Sequence, residues 1–536
     1  MKYVIGVDFG TLSARALLVE AESGKEVSEA TSEYAHAVLD RALPSGKPLP
    51  LGTALQVPSD YIKSLSESIK EVLNKSNVNP CEVIGLGIDF TASTMLPIFP
   101  DGTPLCESEK YKDEPHAYVK LWKHRTATKE AEDITALAKE MGEKFVYSMG
   151  GKLSAELMLP KILETLRVAP EVYNDAYSFI EAADWLSLML TGKETRSPAF
   201  AGYKAGWNTE SGYPSNEFFS ALDKRLDGIV GTKLFKNVSP SIAASAGKLN
   251  ERGSSVTGLP VGTCLALPMI DAHASLAGLG ITDGGEMIMI IGTSTCHILN
   301  STEKTDVEGI FGYVKDGIFP GLYTYESGQS AVGDMFDWFV KNSVPTAYTD
   351  EAKEKNVGIH ALLSEKAAKL DIGESGIVAL DWWSGNRSIL ADSSLKGMLC
   401  GITMRTRPEE IYRALLESTV FGAKVIFEQH EKFGISINGV TAAGGIANKN
   451  PLLMQIYADV LNKDIRIAKS TQSGALGSAV YAAAAAGVYP SIEAASKAYA
   501  KPVEKIYKPI LKNVEKYEKL YEKYRFLHDF FAKNKY

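Results

Sequence analysis

Cysteine is scarce. The 536 residues contain five (Cys81, Cys106, Cys264, Cys296 and Cys400), scattered and never spaced as a CxxC pair. That pattern argues against a disulfide framework and fits free thiols in a reducing compartment. Long apolar runs are missing too. No segment approaches the roughly 20 residues that cross a bilayer, and the Ala-rich VYAAAAAGVY at 480–489 reads as a packed helix. Met1-Lys2-Tyr3 leads directly into a strand pattern without a signal-peptide plan, so the expected location is cytoplasmic. Basic charge is not in excess: 57 Lys plus Arg face 65 Asp plus Glu, a net −8. Nucleic-acid binding draws on clustered cations, so neither nucleic acid nor a membrane is an expected partner.

Three catalytic signatures are also missing. There is no G-x-x-x-x-G-K-[ST] loop, no protein-kinase loop set and no G-x-S-x-G elbow. These absences exclude a P-loop NTPase and a protein kinase, and leave a serine hydrolase without support.

What is present is an alternation of strand and helix patterns over a length that calls for two large domains. YVIGVDFG and ARALLVEA form a hairpin, 61–76 has a helical period, and VIGLGIDF at 83–90 reads as a buried strand. Residues 143–173 look helical around a Gly-Gly break, and 177–193 reads as a strand running into a helix that Gly192 ends. A composition change over 250–271 marks a boundary, giving domains 1–258 and 259–536. Beyond it, GGEMIMIIGTSTCHILN at 284–300 repeats the opening plan of strand, small-residue turn and strand, with Gly292-Thr293 corresponding to Gly10-Thr11. Such a repeat suggests two related α/β domains. The tail 514–536 is a helix docked by its aromatic stripe.

The turn Asp8-Phe9-Gly10-Thr11-Leu12-Ser13 admits two readings. It is an ordinary hairpin tip, or a backbone cradle for phosphate with Asp8 acting through Mg²⁺ and its waters. A second cradle at Gly292-Thr293-Ser294-Thr295 and a third Gly-rich turn, AAGGIANKN at 442–450, favour a nucleotide site. Asp271, after the apolar run LPMI, is a helix N-cap by local spacing and a general base by function. His273 has no second ligand at metal spacing. A sugar needs polar contacts and an aromatic wall; Trp122, Lys204 and Glu326 are candidates, each with a bland alternative as packing residue, surface charge and helix-start acid.

Taken together, the Asp8-Phe9-Gly10 turn, the Asp271 segment, Gly292 to Thr295 and AAGGIANKNPLLMQIYADVL resemble the FGGY carbohydrate kinases, within the actin-like, sugar kinase and heat-shock ATPase superfamily. LPKILETL (159–166) and KGMLCGITMRTRPEEIYRALLEST (396–419) are similar to that family's two signature regions. GIDFTASTMLPIF, EPHAYVKLWKHRTA, LDWWSGNRS and the insertion at 43–61 resemble the branch that phosphorylates L-ribulose. The resemblance implies an α/β fold of two actin-like (ribonuclease H-like) domains with an ATP/sugar cleft between them, the first mainly sugar-binding and the second mainly ATP-binding. It implies ATP and Mg²⁺, and transfer to O5 of L-ribulose in L-arabinose catabolism. Asp271 then becomes the general base, and Ala92, Trp122, Lys204, Asp271 and Glu326 contact the sugar. Gly10, Thr11, Ser13, Arg15, Gly292, Thr293 and Ser294 take the phosphates, Gly444, Gly445 and Asn448 the adenosine, and Asp8 the metal. Relatives lead one to expect a homodimer. An FGGY kinase for D-ribulose, xylulose or ribitol is the nearest alternative, and an actin-like or chaperone-like ATPase is the alternative from another class. No extra β-domain follows the two halves, which counts against a chaperone.

Overall fold

The computed structural model describes residues 1–235, 237–469 and 472–534. Two compact units emerge. The first comprises Met1–Thr282, Tyr313–Thr324 and Gln472–Ala500, and the second Asp283–Gly312, Tyr325–Thr471 and Lys501–Tyr536.

The first unit is built on a sheet whose strands run Glu26–Glu33, Ser13–Glu20, Tyr3–Phe9, Val83–Phe90, Cys264–Ala266 and Ser245–Lys248, with Met269–Ile270 also pairing Val83–Phe90. The opening hairpin is antiparallel, and Tyr3–Phe9 then pairs in parallel with Val83–Phe90. Phe9 and Phe90 stack at 4.9 Å with Tyr61 edge-on to Phe90, filling the core beneath one end of the sheet. A smaller sheet orders Leu55–Gln56, Val119–Lys120, Met95–Ile98 and Ser178–Glu181.

The second unit repeats the first in its topology. Its sheet contains, in order, Tyr323–Gln329, Thr295–Ser301, Glu286–Ile291, Gly439–Ala443, Ile465–Ile467 and Lys505–Tyr507. Again the opening hairpin is antiparallel and its first strand pairs in parallel with a later one. The repeat seen in the Gly-Thr turns thus extends to five consecutive strand positions.

Two placements differ from the linear division at 258/259. Residues 264–266 and 269–270 pair with Val83–Phe90, so the chain stays in the first unit as far as Thr282. The helix Ser473–Ala485 returns to that unit from late in the chain. Its small residues are required by close approach: a Cβ on Gly6 would stand 1.8 Å from the Ala475 carbonyl oxygen, and one on Gly477 1.8 Å from that of Ala274. The helix is Ala-rich because it lies on strand backbone.

Local expectations fare well. Strand Ser178–Glu181 runs into helix Ala182–Thr191, which ends at Gly192 with φ +73°. The tail forms helix Leu511–Lys533 and buries Tyr517, Tyr521 and Tyr524. All five cysteines are free. Among the described residues no helix is long and apolar enough to cross a membrane.

Candidate functional site

Parallel pairing brings three carboxylates to one edge of the first sheet. Asp8 lies opposite Asp89 in adjacent strands, and Asp89 lies opposite Met269 in the next, so Asp271 follows at the same edge. Asp271 opens helix Asp271–Gly278 and its Oδ1 accepts from the amide of Ala272 at 2.7 Å. The N-cap residue is Ile270, with no capping side chain. The cap reading of Asp271 therefore fails, and its charge is felt at Asp89.

Burial raises the Asp8 carboxyl, against the lowering charge of Arg15, whose guanidinium lies 3.4 Å from Asp8 Oδ2. Asp89 is pushed well above the carboxylate range, first by burial and then by the charge of Asp8, with Asp271 adding to it. Ser478 Oγ donates to Asp89 at 2.7 Å. Helix Ser473–Ala485 begins close by, where a Cβ on Gly474 would touch Asp8 and Asp89 at 3.4 Å. Carboxylate oxygens are the donor type a hard cation takes, directly or through its waters, while the positive end of the helix favours their ionised form. Among the described residues no group of three or more His, Cys, Asp or Glu is arranged to hold a metal directly.

The turn after Asp8 is braced from several sides. The Gly10 amide donates to Ser13 O at 3.0 Å, Tyr34 donates to Gly10 O at 3.0 Å and Gln56 donates to Thr11 O at 2.7 Å. Trp122 Nε1 donates to Thr11 Oγ1 at 3.2 Å, joining a proposed sugar residue to a proposed phosphate residue. Lys204 is not the surface charge of its bland reading: it is buried in helix Pro198–Ala205. Its neighbour Tyr203 packs on His273 at 4.5 Å, two residues from Asp271. Ala92 lies in the loop after Val83–Phe90.

In the second unit, strands Glu286–Ile291 and Gly439–Ala443 end side by side, with Ile290 opposite Ala443. The turn Gly292-Thr293-Ser294 and the Gly444-Gly445 turn therefore leave the same sheet edge. Gly292 donates to Ser294 O at 2.9 Å, as Gly10 does to Ser13. Gly444 has φ +95°, and a Cβ there would meet Ile291 O at 2.5 Å, so the position needs glycine. Nothing lies within 4 Å of a Cβ on Gly445, and Asn448 Nδ2 donates to Gly444 O at 3.3 Å. Glu326 is in strand Tyr323–Gln329, not at a helix start, and its Oε1 accepts from Arg387 at 3.3 Å.

The sequence reading did not single out Asp89, Ser478, Lys161 or Arg387. A signal for Asp89 exists: VIGVDFG and GLGIDFT both end a strand on Asp-Phe.

Lys120, two residues before Trp122 in the chain, belongs to a buried ionic network. Lys120 Nζ donates to Glu164 at 2.6 Å and to Thr165 at 2.9 Å. His124 takes the amide of Ala54 on Nδ1 at 3.2 Å. Burial lowers His124 to about 4. As pH falls from the ordinary 6.5 toward that value, the unfolded chain binds a proton that the folded chain refuses, so stability is lost across this window. His124→Gln is expected to flatten part of the fall in Tm between pH 6.5 and about 4; an unchanged slope would place His124 outside the titrating set.

Residues 3–278 match the N-terminal domain, and residues 287–486 the C-terminal domain, of the FGGY family of carbohydrate kinases. A protein of Bacillus licheniformis named ribulokinase is 48% identical over 527 residues, covering 97% of this chain and 95% of the relative. One of Halalkalibacterium halodurans with the same name is 47% identical, covering 99% and 95%. Among solved structures, a ligand-bound xylulose kinase from Lactobacillus acidophilus aligns with TM-score 0.81 at 18% identity, covering 99% of each chain. A xylulose kinase from Rhodospirillum rubrum aligns with TM-score 0.78 at 20% identity, again covering 99% of each chain. Identities this low speak for the fold alone.

Proposed function

The chain belongs to the FGGY family of carbohydrate kinases, and on that premise we propose that it transfers the γ-phosphoryl group of ATP to O5 of L-ribulose, giving L-ribulose 5-phosphate and ADP. Phosphoryl transfer finds its support in the alignment of Asp8, Asp89 and Asp271 at one sheet edge beside a braced Gly-Thr turn. The choice of L-ribulose rests on the relatives at 48% and 47% identity. The reaction would consume the ketose formed in L-arabinose breakdown, in the cytoplasm, and a homodimer belongs to the same reading.

Asp271 accepts the O5 proton as the bond to phosphorus forms, from the first residue of its helix, where its Oδ1 also accepts from the Ala272 amide. Trp122, Lys204 and the Ala92 loop orient the sugar, and Glu326, oriented by Arg387, takes sugar hydroxyls. Backbone N–H groups at Gly10 and Thr11, with Ser13 and Arg15, and those of Gly292, Thr293 and Ser294 stabilise the charge of the moving group. Gly444, Gly445 and Asn448 receive the adenosine. Asp8, with Asp89 behind it, would hold Mg²⁺ through water; the ion would neutralise phosphate charge. Water competes as a nucleophile, so an acceptor sugar must displace it from the γ-phosphate.

The test is ADP release from MgATP with L-ribulose, D-ribulose, L- and D-xylulose, ribitol, glycerol and no sugar. L-Ribulose is expected to give the highest kcat/KM. Activity confined to another ketose or polyol would remove the substrate assignment. Hydrolysis equal with and without sugar would remove the kinase reading in favour of an ATPase.

A further inference from the structure

Lys161 lies in helix Met158–Val168 with no solvent exposure. Burying an ammonium is costly unless several acceptors surround it. Its acceptors are backbone carbonyls from two separate segments: Nζ donates to Ser93 O at 2.6 Å and to Leu121 O at 2.9 Å. Ser93 directly follows Ala92, and Leu121 directly precedes Trp122.

The first of those segments is strained. Ser93 has φ +54°, a left-handed conformation that a residue with a Cβ rarely adopts. Three contacts hold it there. Lys161 takes the Ser93 carbonyl, Glu181 accepts from the Thr94 amide at 2.9 Å, and the hydroxyls of Thr91 and Thr94 meet at 2.9 Å. The loop therefore leaves Val83–Phe90, whose end carries Asp89, in a shape its own sequence does not favour. Burial lowers the Lys161 ammonium and raises the Glu181 carboxyl; each opposes the other's shift by its charge. Lys120, Glu164 and His124 face Lys161 from the strand, its own helix and the following loop. Glu164 is already taken by Lys120, so it is not the main counter-charge.

We propose that Lys161 is a positioning residue for the sugar subsite, its one ammonium clamping the Ser93 and Leu121 carbonyls and so fixing Ala92 and Trp122 against the acceptor. The inference rests on the assignment of those two residues to sugar binding. A merely structural lysine would lower thermal stability and leave the balance between sugar and nucleotide binding alone. A positioning lysine changes that balance.

The experiment measures KM and kcat for L-ribulose and ATP separately in wild type, Lys161→Met, Lys161→Arg and the double variant Lys161→Met/Ser93→Gly. Methionine fills the volume without a donor. It is expected to raise the KM for L-ribulose about thirtyfold or more, with the KM for ATP within about threefold. Arginine keeps the charge but spreads its donors in a rigid plane, and a rise of about fivefold is expected. Glycine adopts the left-handed conformation freely, so the double variant is expected to recover about threefold or more of the loss. Sugar KM values unchanged in folded Met and Arg variants would overturn the inference, as would equal rises for sugar and ATP. Should the methionine variant not fold, the arginine variant decides. A wild type that acts on a different ketose corrects the substrate assignment only, and the same comparison is then made on that sugar.

Discussion

Asparagine at position 271 is expected to lower kcat with L-ribulose by about 10³, within the range that positioned general bases contribute. Asn has the shape of Asp and can keep the hydrogen bond from the Ala272 amide, so the helix that begins here has no reason to unravel. What it cannot do is take a proton. ATP binding, followed by nucleotide-induced thermal stabilisation, should survive because the proposed adenosine and phosphate groups are elsewhere in the chain. Removing one of three crowded carboxylates also relieves Asp89, whose carboxyl Asp271 pushes upward. The variant is therefore expected to be at least as stable as wild type. Turnover within about tenfold of wild type would remove Asp271 from the base role.

Valine at position 6 should have the largest effect on folding. A Cβ there would stand 1.8 Å from Ala475 O and 2.6 Å from Ala479 N, both backbone atoms that no rotamer change can move. Strand Tyr3–Phe9 and helix Ser473–Ala485 would have to separate, and with them the Asp8 turn and the Gly474 helix start. The cost should exceed about 4 kcal/mol, enough to lower Tm by about 5 °C in a unit of this size or to leave little folded protein. Gly358→Ala is the control, because nothing lies within 4 Å of its Cβ. A Gly6→Val protein with wild-type Tm would contradict the close packing.

These two positions also show where a linear reading stops. Asp8 and its turn are legible because strand, turn and strand lie within one short stretch. Gly292-Thr293 is legible as a repeat of it. Asp271 is not: nearest-neighbour spacing favours a cap, and only the register of Met269–Ile270 against Asp89 and Phe90 brings the carboxylate beside the others. The same long-range pairing carries residues 264–270 into the first unit, past a composition change that suggested an earlier boundary. Lys204 looked like surface charge because a short small-residue segment does not say what covers it, yet it is buried. Lys161 lies within the signature-like stretch LPKILETL, but the pattern does not say what its ammonium holds. Its acceptors are the carbonyls of Ser93 and Leu121, and a backbone carbonyl has no letter in the sequence.

The most direct measurement is phosphorus NMR of the product formed from MgATP and L-ribulose, with ADP counted in the same sample. Transfer to O5 requires one ADP per sugar phosphate and a phosphorus resonance coupled to the C5 protons. ADP without a sugar phosphate, or phosphate carried at C1, would contradict it.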